Sequence, residues 1–264
     1  MQIIRFGEIV GNYSRSEKGS DTLFIYASGM PSIPCPNMEG YEKLINESGY
    51  DFFAPDYYGF FRSGKTFTPQ SNIDTLLDTK NHFENSGKIQ DVFSGEYSEI
   101  KYKNFVFVGE SWGGGVVSLM PKFDKNIKNI ALINPVFEYN NDLGYDEEKI
   151  EDFLGVIDRG FKNLLRGFGG LEWEKHFQDS SGLTPTKNMK YLKACNVFLT
   201  HGDADDVINV NRARDFYEKL KNINPAGQFN YLEIPGGIHF GDLERQTGVI
   251  SFSKLIKFFE NKLK

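Results

Sequence analysis

Short apolar runs alternate with helical segments along most of the chain, and this alternation is the feature that most constrains the fold. The apolar runs, each four to six residues long, lie at positions 1–6, 22–27, 51–55, 105–108, 130–133, 196–200 and 229–234. Helical patterns lie between or after them, at positions 37–48, 210–221 and 250–263. Strands that alternate with helices are typical of a mostly parallel sheet covered by helices. The sequence therefore predicts the α/β fold class.

Positions 137–190 break this alternation. Apolar residues recur there at helical spacing and no strand pattern is present, as shown by Phe153, Leu154, Ile157, Phe161, Leu164 and Leu165. A segment of this kind between two core strands predicts a helical insertion. We expect this insertion to form a cap that walls a site.

Charge and cysteine content exclude several classes of protein. The chain has 264 residues with 30 Lys and Arg against 36 Asp and Glu, a net charge of −6. This acidic balance disfavours a nucleic-acid-binding protein, which carries a basic patch. No apolar run approaches the roughly 18 residues that a membrane span needs, and the first residues lack a signal-peptide pattern. The cysteines, Cys35 and Cys195, form no disulfide framework or zinc motif, so we expect a cytoplasmic protein.

A Gly-x-Ser-x-Gly sequence follows the fourth apolar run. It consists of Gly109, Glu110, Ser111, Trp112 and Gly113, and small residues continue after it. In this motif the serine lies on a strained strand-to-helix turn, where flanking glycines allow close backbone approach. The context predicts Ser111 as a nucleophile. We expect the Glu110 side chain to pack within the turn, with electrostatic tuning of the site as the alternative.

A serine hydroxyl needs an adjacent base, and the chain has four histidines. His239 lies in the loop directly after the last predicted strand, where α/β active sites assemble. His82 lies in a polar helical pattern and His176 in the insertion, so both are predicted at the surface. His201 follows another strand and is expected to support its loop. His239 is therefore the predicted base.

The base in turn needs a carboxylate that fixes its tautomer. Asp203, Asp205 and Asp206 all follow the strand at 196–200. Spacing alone does not choose between these three residues.

These motifs resemble the α/β-hydrolase-fold serine hydrolases, in which the nucleophile, acid and base follow in this order. The acid loop of that family often has the pattern His-Gly-x-x-Asp-x-x-Val, and His201, Gly202, Asp205 and Ile208 fit it with Ile in place of Val. The resemblance therefore implies Asp205 as the acid, with Asp206 as the alternative.

The oxyanion of an acyl-transfer reaction needs N–H donors. One is the backbone N–H of Trp112, directly after the nucleophile. The resemblance implies a second at Met30, in a loop where Ser28 replaces the histidine usual in the family. The loop that begins at Asp56 resembles a family loop that supports the site, and it receives no catalytic role.

The predicted function is a serine hydrolase that cleaves an ester through an acyl-enzyme on Ser111. A peptidase or amidase of short peptides and an acyltransferase are alternatives with the same triad; a catalytically silent binding protein is a weaker one. We expect a small-molecule ester or short peptide as substrate, and no cofactor, metal, nucleic acid or membrane. The triad must converge, so we expect one domain, 1–264, with the cap at about 137–190. Aromatic residues in that cap favour an apolar acyl group: Phe153, Phe161, Phe168, Trp173 and Phe177.

Overall fold

The computed structural model describes residues 1–30, 39–142, 154–239 and 244–263. Its strands are β1 (Gln2–Phe6), β2 (Ile9–Ser14), β3 (Thr22–Ala27), β4 (Asp51–Pro55), β5 (Lys88–Asp91), β6 (Tyr97–Glu99), β7 (Asn104–Glu110), β8 (Asn129–Ile133), β9 (Asn196–Gly202) and β10 (Gln228–Ile234). Its α-helices are α1 (Glu39–Glu47), α2 (Pro69–Asn85), α3 (Trp112–Phe123), α4 (Tyr139–Asp142), α5 (Leu171–Phe177), α6 (Pro185–Asn188), α7 (Val210–Ile223) and α8 (Thr247–Glu260).

All ten of these strands form one sheet, in the order β10-β9-β8-β7-β3-β4-β2-β1-β5-β6. The strands from β10 to β4 are parallel, whereas β2, β1, β5 and β6 extend the sheet in antiparallel fashion. The predicted α/β class is thus confirmed. The sequence analysis missed β2, β5 and β6. Strand β2 is buried, but Gly11 and Asn12 interrupt its apolar residues. Strands β5 and β6 have only four and three residues, which are mostly polar, so they also lack a continuous apolar run.

Helices cover both faces of the sheet, because successive side chains of a strand point to opposite faces. Phe105 and Phe107 of β7 belong to a core cluster that includes residues of α2, α3 and α7. Val106 and Val108 belong to the opposite cluster, with residues of α1 and α8. The C-terminal helix packs through Phe252, Leu255, Ile256 and Phe259. Because the helices lie on the two faces of the sheet, the carboxyl ends of the parallel strands continue into loops at its edge.

Within positions 137–190 the described residues form helical segments and no named strand. Besides α4, α5 and α6, they include a π-helical turn (Ile157–Phe161) and 3-10 segments (Lys162–Leu164 and Met189–Ala194). The segment joins the loop after β4 through backbone hydrogen bonds: Phe61 N to Leu164 O at 2.9 Å and Arg166 N to Gly59 O at 2.8 Å. Of the aromatic residues predicted in a cap, Phe153 lies outside the described residues, as does Cys35.

Candidate active site

The turn between β7 and α3 has the geometry of a nucleophile elbow. Ser111 has φ 53° and ψ −120°, a conformation that is costly for a residue with a Cβ. A Cβ at Gly109 would lie 2.2 Å from Gly113 O, and one at Gly113 would lie 2.0 Å from Ala27 O. Only glycine fits at these two positions, and their close packing holds Ser111 in its strained conformation.

Ser111, His239 and Asp205 lie together at the carboxyl ends of the parallel strands. Nε2 of His239 is 3.0 Å from Ser111 Oγ, and Nδ1 of His239 is 2.7 Å from Asp205 Oδ2. A carboxylate only accepts hydrogen bonds, so Nδ1 carries the proton and Nε2 accepts from the Ser111 hydroxyl. Ser111 and His239 are almost entirely buried, with 4% and 2% of their surface exposed. The three side chains thus form one continuous hydrogen-bonded chain.

The backbone fixes the orientation of the Asp205 carboxylate. Its Oδ1 accepts hydrogen bonds from the N–H groups of Val207 at 2.9 Å and Ile208 at 2.8 Å. Burial raises the pKa of Asp205, but the hydrogen bond from His239 and the charge of nearby imidazoles outweigh it and bring the pKa below its usual range. Asp206, the alternative acid, is exposed.

Asp203 is exposed as well, and its Oδ1 accepts a hydrogen bond from the Gly236 N–H at 2.6 Å. This contact joins the two loops that carry Asp205 and His239. Of the three candidate carboxylates, Asp205 is thus the one in hydrogen-bond contact with His239.

The remaining histidines differ in burial. Nε2 of His201 donates to Ile208 O at 2.9 Å and lies 3.4 Å from Asp205 Oδ2, so His201 contacts its own loop as expected. His82 is half-buried and stacks on Phe6, with ring centroids 4.2 Å apart.

The surface prediction for His176 is wrong, because only 2% of this residue is exposed. Its ring packs among aromatic rings, and burial lowers its pKa to about 3. Helical periodicity in the insertion does not predict which residues pack on His176.

The predicted oxyanion donors lie on both sides of Ser111. Trp112 is the first residue of α3, and the first N–H groups of a helix have no partner within it. A Cβ at Gly29 would lie 3.1 Å from Ser111 Cβ, so the backbone at Gly29 passes directly beside Ser111. Met30 follows and is 6% exposed. Tyr57 donates to Ser28 O at 3.0 Å and braces the same loop.

The loop after β4 is held by a buried ion pair. Nε of Arg62 donates to Asp56 Oδ2 at 2.7 Å, and Nη2 donates to Oδ1 at 2.9 Å. Burial raises the pKa of Asp56, while the Arg62 guanidinium acts in the opposite direction. Ser63 donates to Asp56 O at 2.8 Å. These contacts agree with the structural role expected for this loop.

An aromatic cluster surrounds the Trp112 side chain, and sequence reasoning did not predict its composition. The ring centroids of Tyr139, His176 and Trp173 lie 4.9, 5.3 and 5.8 Å from that of Trp112. The indole N–H of Trp112 donates to Asn72 Oδ1 at 3.2 Å. The aromatic residues of the insertion therefore pack directly on Trp112, the residue that follows Ser111.

Metal ligands and membrane-spanning helices were considered only for the part of the chain that the structure describes. In it, no three His, Cys, Asp or Glu side chains are grouped as metal ligands. None of its helices combines the length and apolar character that a membrane crossing requires.

Comparison with known proteins gives matches at the level of the family and of the fold. A model of the alpha/beta hydrolase fold family matches residues 22–194. Searching the curated proteins gives no match. Among solved structures, esterase Pf2001 of Pyrococcus furiosus is 18% identical, with a TM-score of 0.67 over 96% of this chain and 87% of its own.

Two other solved structures are similar over nearly their whole length. Est1E of Butyrivibrio proteoclasticus, solved with bound ferulic acid, is 16% identical with a TM-score of 0.66, over 97% of this chain and 96% of its own. MGS-MChE2, an alpha/beta hydrolase enzyme from the metagenome of lagoon sediments at Mar Chica, is 16% identical with a TM-score of 0.64, over 100% of both chains. By its matching family model and its sheet, this chain belongs to the alpha/beta hydrolase fold family.

Proposed function

We propose that this protein is a serine hydrolase that cleaves an ester, with Ser111 as nucleophile, His239 as general base and Asp205 as orienting acid. The observation that carries the proposal is the continuous contact from Ser111 Oγ to His239 Nε2, at 3.0 Å, and from His239 Nδ1 to Asp205, at 2.7 Å. A serine hydroxyl is a weak nucleophile until such a base removes its proton.

The reaction follows from these positions. Ser111 Oγ attacks the acyl carbon while its proton passes to His239 Nε2, and Asp205 stabilises the resulting imidazolium. The oxyanion accepts hydrogen bonds from the N–H groups of Trp112 and Met30, each worth about 3–4 kcal/mol. The imidazolium then protonates the leaving alcohol. Water, deprotonated by His239, finally attacks the acyl-enzyme and releases the acid.

An apolar acyl group is the substrate feature we propose. The insertion holds a cavity of about 310 Å³ lined by Leu154, Ile157, Asp158, Lys162, Leu165 and Phe168. Four of these six side chains are apolar, and Asp158 and Lys162 are exposed and paired at 2.8 Å. The esterase name of one structural neighbour also favours an ester.

We also propose that positions 137–190 act as the cap of a single hydrolase domain. The indole N–H of Trp173 donates to Phe67 O at 3.3 Å. The Trp173 ring also stacks on the Phe67 ring, with ring centroids 5.1 Å apart. Its ring also lies 5.8 Å from that of Trp112. These contacts favour a cap that is packed on the core beside the nucleophile.

Labelling with a fluorophosphonate, followed by hydrolysis of p-nitrophenyl esters from acetate to octanoate, tests the proposal. Wild type should be labelled and should turn over esters, whereas Ser111→Ala should do neither. Ser118→Ala is the matched control, because Ser118 lies in α3, the helix that begins directly after Ser111, and donates to Gly115 O. Equal labelling of wild type and Ser111→Ala contradicts the proposal.

The same triad also supports cleavage of short peptides or amides, and acyl transfer to an alcohol or amine. A panel of aminoacyl p-nitroanilides separates the first from ester cleavage. Product analysis with a competing alcohol separates the second. A silent binding protein would show no Ser111-dependent turnover in any of these assays.

A further inference from the structure

The side chain of Glu110, directly before the nucleophile, lies on the face of the sheet opposite to α3. Residues of β7 alternate between faces, which places Glu110 with Val106 and Val108. Its Oε2 accepts a hydrogen bond from the hydroxyl of Tyr26 on the neighbouring strand β3. Tyr26 is 1% exposed. A carboxylate in such a position requires more compensation than one neutral donor supplies.

Helix α8 supplies the second side of this environment. A Cβ at Gly248 would lie 2.1 Å from the Tyr41 hydroxyl and 3.4 Å from Glu110 Oε1. Gly248 is the second residue of α8, so the Glu110 carboxylate lies beside the first turn of this 14-residue helix. The N-terminal turn of a helix carries partial positive charge and favours an anion. Glycine at this position allows the approach.

The same turn of α8 holds the loop that carries His239. Thr247 donates to Ile238 O through its N–H at 3.3 Å and through Oγ1 at 3.2 Å. The Ile238 N–H donates to Arg245 O at 3.0 Å. Glu110 is therefore connected to Ser111 through the backbone and to His239 through α8.

We propose that Glu110 is a positioning residue of the active site, whose ionised carboxylate stabilises the imidazolium formed at His239 and holds the first turn of α8 beneath the His239 loop. This inference rests on the proposed function, because it assigns Glu110 a role in that triad. It favours the electrostatic role, which the sequence left as the alternative to packing, and adds the contact with α8. Glu110 contacts no reacting atom and acts through His239.

Ionisable groups around Glu110 come from every neighbouring element. They are Tyr26 of β3, Tyr41 of α1, Asp205 after β9 and His239 after β10. The pKa of Glu110 is raised above its usual value, because burial and the Asp205 charge outweigh the Tyr26 hydrogen bond and the His239 imidazole, which act to lower it. Burial raises the pKa of both tyrosines, so they remain neutral donors. The first four residues of α8 carry no charge.

The test compares Glu110→Gln, which removes the charge at nearly constant shape, with Glu110→Asp, which keeps it. Loss of the anion favours the neutral imidazole, so the acidic limb of kcat/KM for Glu110→Gln should move about one unit to lower pH. Its kcat should fall about tenfold, because the imidazolium of the transition state loses the same stabilisation. Glu110→Asp should keep most of the wild-type kcat and an acidic limb close to the wild-type position. Glu47→Gln, at an exposed carboxylate of α1, is the control for a change in net charge.

A second measurement does not depend on turnover. The chain has four histidines, so ring-proton NMR resolves His239 by comparison with a His239→Gln spectrum. The His239 titration curve should move to lower pH in Glu110→Gln and return in Glu110→Asp. If no ester is hydrolysed but this shift occurs, the proposed function fails and the electrostatic link remains.

An unchanged titration curve and an unchanged acidic limb in Glu110→Gln would overturn the proposal. If that variant does not fold, Tyr26→Phe replaces it. Removal of the Tyr26 hydroxyl makes the carboxylate easier to protonate, so the same limb should move in the same direction by a smaller amount. No movement in Tyr26→Phe then overturns the proposal.

Discussion

Replacement of Asp205 by Asn should remove catalysis with almost no change of shape. The N–H groups of Val207 and Ile208 donate to Oδ1 at 2.9 and 2.8 Å. An Asn side chain must keep its carbonyl oxygen at that position, because its NH₂ group cannot accept those bonds. Its NH₂ group then replaces Oδ2, which is 2.7 Å from His239 Nδ1. The backbone N–H groups therefore orient the Asn side chain so that its NH₂ group faces Nδ1 of His239.

The tautomer of His239 determines the size of this effect. An NH₂ donor opposite Nδ1 requires Nδ1 to accept, so the imidazole proton moves to Nε2, which lies 3.0 Å from Ser111 Oγ. Nε2 is then unable to take the serine proton. A wrong tautomer in such a triad lowers kcat about 10⁴-fold, or roughly 5.5 kcal/mol of transition-state stabilisation.

The assay is kcat for p-nitrophenyl acetate, with circular dichroism melting to verify that the fold is retained. Asp206→Asn is the matched control, since Asp206 is the exposed neighbour in the same loop. It should keep activity within about twofold of wild type, as expected for a surface change. The reasoning is refuted if Asp205→Asn retains a tenth or more of wild-type kcat, or if Asp206→Asn loses as much activity.

Three further predictions concern stability. Burial lowers the pKa of His176 to about 3 in the folded protein. Below the pKa of this histidine in the unfolded chain, the unfolded chain therefore binds a proton that the folded protein does not, and the free energy of unfolding decreases as the pH falls. Wild type should therefore lose about 1.4 kcal/mol per pH unit relative to His176→Phe as pH drops from about 6 towards 4, measured by urea titration. Gly113→Ala should cost about 3 kcal/mol or prevent folding, because its Cβ would lie 2.0 Å from Ala27 O; a Tm equal to wild type contradicts this packing. Arg62→Met leaves the Asp56 carboxylate buried and unpaired, and should cost about 3–5 kcal/mol, whereas Asp56→Asn with Arg62→Met should recover part of that loss in the same denaturation assay.

Local patterns were sufficient for the parallel part of the sheet and for β1, and insufficient for the other antiparallel strands. Strands β3, β7 and β8 are buried and have continuous apolar runs, so their sequence predicts them directly. Strand β6 is exposed along its whole length and pairs with β5 at the end of the sheet, so its own sequence carries little strand signal. Its conformation depends on the partner strand.

The same difference applies to the candidate site. Ser111 was predicted because its elbow needs glycines at fixed sequence positions, and their close contacts are local to one turn. His176 was wrongly predicted at the surface because its environment comes from distant parts of the chain. Its ring centroid lies 3.8 Å from that of Tyr139 and 5.3 Å from that of Trp112. Helical spacing identifies a buried face and does not identify what packs on it.

The sequence by itself determined the α/β class and the elbow, since both follow from short-range periodicity and from glycines that no other residue replaces. It left Asp203, Asp205 and Asp206 as open candidates on spacing alone. Only the tertiary structure decided which carboxylate contacts His239, because that contact joins residues 34 positions apart on loops after two different strands. It also connected Glu110 to α8. Such contacts depend on how parallel strands align their carboxyl ends, and no local pattern encodes that alignment.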